Sequence, residues 1–232
     1  MKAHSEPASA ALQEILDALV KGCPICHLVS RHTTRWIDTL LYERVNDPGT
    51  RDQLRESLGF CNRHAWLVRS AGDVVGQTII YEDLMKTVRI LLEAGRQPVS
   101  GKDCALCAEE AETERQGVKE FIAHFRDDAL QVRYRGSPGL CLPHLACILE
   151  ETDDAMLRAD LLRAEQNKVT ELVQDLGELK QRQDWRSNQK SGKERDAWDR
   201  AIAKLCGLPG IQPRHGSGKA GRGRFRLPPK KA

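Results

Sequence analysis

Six of the eight cysteines in this 232-residue chain fall into a repeated arrangement. Cys23-Pro24-Ile25-Cys26 is followed by Cys61-Asn62-Arg63-His64, and Cys104-Ala105-Leu106-Cys107 by Cys141-Leu142-Pro143-His144. The C-x-x-C pairs are 81 positions apart and the C-x-x-H pairs 80. A glycine precedes each C-x-x-H by the same step, Gly59 and Gly139. Two copies at a shared offset point to tandem duplication of one unit.

The donor types suggest metal chemistry. A C-x-x-C turn brings two thiolates to one ion. C-x-x-H in a first helical turn puts thiolate and imidazole on one face. A helix N-terminus also favours the thiolate. Three cysteines and one histidine make a closed structural zinc set. The spacing predicts two zinc ions, one on Cys23, Cys26, Cys61 and His64, the other on Cys104, Cys107, Cys141 and His144. Neither set leaves an open coordination position for hydrolysis.

Other chemistries compete. Iron–sulfur clusters use such ligands, and spacing leaves them open. Disulfides conflict with the absence of an export signal. A thioredoxin-like pair lacks its strand–helix context, and each C-x-x-C here has a matching C-x-x-H. Cys23 to His27 spells the haem attachment string C-x-x-C-H, yet Ala108 stands at the equivalent position of the second copy. Cys147 lies one helical turn past His144, within reach of replacing a ligand, but reads as a small buried side chain. Cys206 reads as packing, Trp66 as a lid on the core, and His27, His32 and His124 as surface or partly buried residues. Glu109-Glu110 and Asp153-Asp154 are read as first-turn acids favoured by the helix dipole. No phosphate loop, nucleophile motif or catalytic carboxylate pair is recognisable, so the sequence predicts no enzyme.

The elements positioning these donors are helical. Val29, Trp36, Ile37, Leu40, Leu41 and Val45 recur at helical spacing after Cys26, and Val118, Phe121, Ile122 and Phe125 after Cys107. Asp47-Pro48 predicts a short helix that Gly59 ends. Each C-x-x-H opens a third helix, and a fourth spans Asp73–Ala94 in the first copy and Asp153–Leu179 in the second. A helix over Ala10–Val20 precedes the repeats, and Trp198, Ile202 and Leu205 mark another after them. No alternating strand is visible. The predicted fold is all-α, with two pseudo-repeated metal-binding modules at 1–97 and 98–180, a helical extension at 181–208, and a disordered basic tail at 209–232.

Charge separates the tail from the body. The net charge is +3, but residues from Leu176 onward hold 15 Lys/Arg against 5 Asp/Glu. From Gln212 to the last residue there are seven cations and no acid: Arg214, Lys219, Arg222, Arg224, Arg226, Lys230 and Lys231. Such a segment buries too little apolar surface to offset its ordering entropy. Its cations suit phosphates, so the tail reads either as a contact for nucleic acid or a nucleoprotein or as a solubilising segment with no specific partner. Phe225 among them has the chemistry to stack on a base. No apolar run reaches the roughly 18 residues of a membrane span, and no signal core opens the chain, so a cytoplasmic location without membrane partners is expected.

The segments Cys23–Cys26, Leu40-Leu41-Tyr42-Glu43-Arg44-Val45-Asn46-Asp47-Pro48 and Gly59-Phe60-Cys61-Asn62-Arg63-His64-Ala65-Trp66 resemble a bacterial family known only as a domain of unknown function. Ile80-Tyr81-Glu82-Asp83-Leu84 and Asp196-Ala197-Trp198-Asp199-Arg200-Ala201 are similar to its later segments. The resemblance covers about Ala10 to Gly207 and implies the fold, not an activity. Leu140 and Ala146 replace Phe60 and Trp66 in the second copy. The functional expectation is a non-enzymatic scaffold or adaptor pinned by two zinc ions. The alternative is an iron–sulfur or thiol-based redox, electron-transfer or sensor protein.

Overall fold

Local chemistry sets most helix starts. Asp47 accepts a hydrogen bond from the Thr50 amide at 2.7 Å, and Pro48 follows it at the first helical position. Asp73 accepts from the Gly76 amide at 3.1 Å. Cys23, Cys61 and Cys141 each stand at the N-cap of a helix with extended backbone. A cysteine at this position marks the change from extended backbone to helix.

The computed structural model describes residues 10–182 and 192–211. Ten α-helices lie in them: α1 Ala10–Leu19, α2 Pro24–Thr39, α3 Pro48–Glu56, α4 Asn62–Ser70, α5 Val74–Glu93, α6 Ala105–His124, α7 Asp128–Arg135, α8 Leu142–Glu151, α9 Ala155–Arg182 and α10 Ala197–Cys206. No strand occurs among the described residues. The all-α, twofold-repeated architecture is therefore present. The helix after Cys26 continues past Thr39 as a π-helical turn, Leu40–Arg44, which buries Leu40 and Leu41. At the end of α3, Leu58 and Gly59 have φ of 48° and 90°, and the Gly59 amide returns to the Leu54 carbonyl at 2.7 Å. This left-handed stop is where a glycine is favoured. The tail cations from Arg214 on, and Phe225, lie outside the described residues.

Helices α2 and α6 form the centre and run antiparallel. Ile25 and Leu28 face Gly117, while Thr33, further along α2, meets Glu110, earlier along α6. A Cβ on Gly117 would stand 3.2 Å from Leu28 Cδ1 and 3.3 Å from Ile25 Cδ1, so the missing side chain permits this close approach. Two cores flank the pair. One packs Ile15 and Leu19 of α1, Ile25, Phe121, Leu130, Tyr134, Leu140, Ile148 and Leu161. The other packs Ile37, Leu40, Leu54, Val68, Ile80, Leu84 and Leu106. Each core draws residues from both repeats, because α2 and α6 each run through both.

The C-terminal helix is fastened by a buried charge pair. Lys204 Nζ, on α10, donates to Glu165 Oε2 at 2.6 Å and to the Pro138 and Leu140 carbonyls, each at 2.8 Å. Glu165 Oε1 also accepts from the Leu140 amide at 2.9 Å and from the Tyr134 hydroxyl. All three Lys204 donors are used and both Glu165 oxygens accept, which is the condition for tolerating a buried charge. Gly139, with φ of 78°, brings the backbone against Glu165 and Lys168. No helix among the described residues is long and apolar enough to cross a membrane. Lys204→Met, which leaves Glu165 buried without its cation, is expected to lower unfolding stability by about 3–5 kcal/mol in denaturant titration. Pairing it with Glu165→Gln should recover part of that loss.

Candidate metal centres

The structure brings all eight predicted donors into two clusters, but not in the predicted sets. Cys23 and Cys26 meet Cys141 and His144, while Cys61 and His64 meet Cys104 and Cys107. The predicted groupings, Cys23, Cys26, Cys61 and His64 with Cys104, Cys107, Cys141 and His144, are therefore corrected: each C-x-x-C joins the C-x-x-H of the other repeat. The antiparallel α2–α6 packing is the reason. It holds the two C-x-x-C starts at opposite ends of the helix pair, and the core at each end belongs to the other repeat's α4 or α8.

Within each cluster the four donor atoms lie within 4.8 Å of one another. In the first, Cys26 Sγ is 3.7 Å from Cys141 Sγ, and His144 Nδ1 is 3.4, 3.3 and 3.1 Å from the sulfurs of Cys23, Cys26 and Cys141. In the second, Cys61 Sγ is 3.7 Å from Cys107 Sγ, and His64 Nδ1 is 3.4 Å from the sulfurs of Cys61, Cys104 and Cys107. A tetrahedral ion with metal–sulfur bonds of about 2.3 Å and metal–nitrogen bonds of about 2.0–2.1 Å has edges of about 3.8 and 3.6 Å. The observed edges fit one ion per cluster. No disulfide joins any described cysteine.

Both imidazoles present Nδ1 to the sulfurs and Nε2 to a carboxylate. His64 Nε2 is 3.0 Å from Glu110 Oε1, and His144 Nε2 is 3.0 Å from Glu114 Oε1. Glu110 and Glu114 are four residues apart on α6, so one helix face orients both rings. A carboxylate behind a ligating histidine fixes its tautomer and raises its basicity. Glu110 also accepts from Thr33 Oγ1 at 3.0 Å and from the Arg63 guanidinium. Burial opposes its ionisation, but His64 and Arg63 outweigh that and hold the carboxyl at about 2.

Burial raises the Cys23 thiol, yet Cys141, Cys26 and His144 hold it well below the usual range. Its neighbours Cys23 and Cys26, together with burial, push Cys141 up. Burial works against a proton on His144, but Cys23, Cys26 and Glu114 push it up to about 12. In the other cluster burial opposes the same trend, while His64 brings Cys104 down to about 6 and Cys104 and Glu110 lift His64 to about 9. Donors this close keep protons among themselves unless a cation replaces those protons.

Several roles differ from expectation. Glu110 is a buried partner of His64 rather than a first-turn acid serving the helix dipole. Trp66 is 67% exposed and is no core lid. Cys206 is exposed rather than packed. Cys147 is buried, as expected, and burial pushes its thiol up to about 11. Asp154 does serve a helix start, accepting from the Met156 and Leu157 amides at 3.0 Å. Sequence reasoning missed Glu114, Arg63 and Gly207. Nothing in the acid-rich run from Glu109 to Glu120 marks residues 110 and 114 apart from their neighbours. Gly207 rests against the Cys26 and Cys141 sulfurs, where an added Cβ would stand 3.1 and 3.6 Å away.

The crossed pairing makes a stoichiometric prediction. Metal analysis of Cys23→Ser and of Cys141→Ser should each show loss of one ion, and the double variant should lose no more. Combining Cys23→Ser with Cys61→Ser should remove both ions. Glu110→Gln or Glu114→Gln should weaken metal affinity about 10–100-fold.

DUF6062, described as a family of unknown function, matches the chain twice, over residues 10–100 and 98–210. The "Uncharacterized 23.9 kDa protein in xynA 3'region" of Caldicellulosiruptor sp. (strain Rt8B.4) is 28% identical over 193 residues, covering 80% of this chain and 95% of that protein. No solved structure matches. The double match coincides with the internal duplication and spans most of the sequence, and the chain belongs to the DUF6062 family.

Proposed function

We propose that this chain is a non-enzymatic helical scaffold or adaptor in which two structural zinc ions cross-link the repeats. The observation that carries this reading is the pair of ion-sized Cys3His clusters, each assembled from both halves of the sequence. A bound ion then joins positions more than 110 residues apart in one cluster and 40 or more in the other. Structural zinc contributes about 10–16 kcal/mol of apparent binding energy, comparable with the stability of a whole domain. Such a device specifies a fold. All four coordination positions of each cluster are filled by side chains, so none remains for an activated water.

The cluster size favours zinc over an iron–sulfur cluster. Four donors within 4.8 Å enclose one ion, whereas a polynuclear cluster separates its ligands by its own iron and sulfide atoms. Protein purified without oxygen should carry two zinc ions per chain and be colourless. Iron with acid-labile sulfide and a brown spectrum would make the redox reading correct instead.

The same proposal gives the basic tail a nucleic acid or nucleoprotein partner. Its support is the run of seven cations without an acid. If all seven contact phosphates of a duplex, the log–log salt slope of binding is about −6. A chain ending at residue 211 should lose binding to RNA and DNA at low salt in a filter or anisotropy assay. Undiminished binding by that shortened chain would exclude the tail.

A further inference from the structure

The repeats align Cys26 with Cys107 and Cys141 with Cys61. In the first cluster the aligned pair is sealed. Gly207, at the end of α10 with φ of 83°, seats its backbone against both sulfurs, and both cysteines are buried. Lys204 holds α10 there through Glu165 and the Leu140 carbonyl, one residue before Cys141. In the second cluster the counterparts Cys61 and Cys107 are the two half-buried ligands, while His64 and Cys104 are buried. The first repeat has no latch for such a helix: Leu84 lies against Gly59 where Glu165 lies against Gly139, and α5 runs into the Gly95–Asp103 linker. The same two positions are thus buried in one cluster and only half-buried in the other.

From this difference we infer that Cys61 and Cys107 form an oxidative modification site, a thiol pair that reacts with hydroperoxides and releases the ion of its own cluster. The inference rests on the zinc reading above. The sulfurs of these two half-buried cysteines are 3.7 Å apart, within reach of direct coupling after a small movement.

The chemistry balances with hydrogen peroxide as oxidant. One thiolate attacks a peroxide oxygen, the O–O bond breaks, and sulfenic acid forms as hydroxide leaves and takes up a proton to become water. The second thiolate attacks that sulfur, the S–S bond forms, and the sulfenic oxygen leaves as a second water after protonation. Two thiolates supply the two electrons that reduce the peroxide, and solvent supplies two protons. The ion loses two of four ligands and dissociates. A dithiol reductant with added zinc restores the cluster.

The test treats the zinc-loaded full chain with hydrogen peroxide beside a chromophoric chelator, then maps disulfides by mass spectrometry. One zinc per chain should be released together with a Cys61–Cys107 disulfide, and the second should leave about tenfold more slowly or slower still. Release of both ions at one rate, or a first disulfide at Cys23 and Cys26, overturns the inference. In Gly207→Ala the added methyl group crowds the sulfurs, so release of the second ion should accelerate and that of the first stay unchanged. An unaltered second phase would remove the sealing role from Gly207. The disulfide map is read whatever metal is found. A chain containing no zinc overturns the zinc reading, while a Cys61–Cys107 disulfide in that chain still supports the modification site.

Discussion

The antiparallel contact between α2 and α6 is the constraint on which the rest of the molecule depends. Each helix begins with a C-x-x-C pair, and each passes through both apolar cores. Laid head to tail, they place the cysteine pairs at opposite ends. Each pair then finds the C-x-x-H helix packed into that end, which comes from the other repeat. Gly117 makes this geometry possible by letting Ile25 and Leu28 close onto the α6 backbone. A larger side chain there would move the axes apart and shift both sets of donors from ion-sized separation.

Electrostatics reinforces the packing. Each cluster sets three thiols around one imidazole, and the outer nitrogens of the two imidazoles lie against carboxylates one turn apart on α6. That helix thus supplies two ligands to one cluster and the supporting acid to both. Arg63 balances Glu110 and also donates to the Gly210 carbonyl, so the segment after α10 is tied to the second cluster while Gly207 covers the first. Buried charge is tolerated here because each group has several partners.

The two halves share a plan but differ in the elements that cover their clusters. Glu165 and Lys204 anchor α10 over one cluster, whereas Leu84 leaves the other without a matching anchor. The inequality lies in the covering elements and not in the ligands, which are the same four types in each cluster. Two chemically equal sites thereby acquire unequal access to solvent.

The sequence by itself determined the donors, the repeat and the helices. Spacing at i and i+3 is a local property, and capping by Asp47 and Asp73 acts within one turn. The apolar periodicity located α2, α5, α6 and α9 for the same reason. What the sequence left undecided was which repeat's C-x-x-H each C-x-x-C would meet, because both pairings use identical residue types at nearly identical spacing. Only the packing of α2 against α6 distinguishes them. Glu110 and Glu114 were equally hidden among neighbouring acids, since burial, and not residue type, separates a histidine's partner from a solvated charge. The covering of Cys26 and Cys141 by Gly207 depends on a contact across more than 60 residues, set by a buried lysine that composition alone reads as surface.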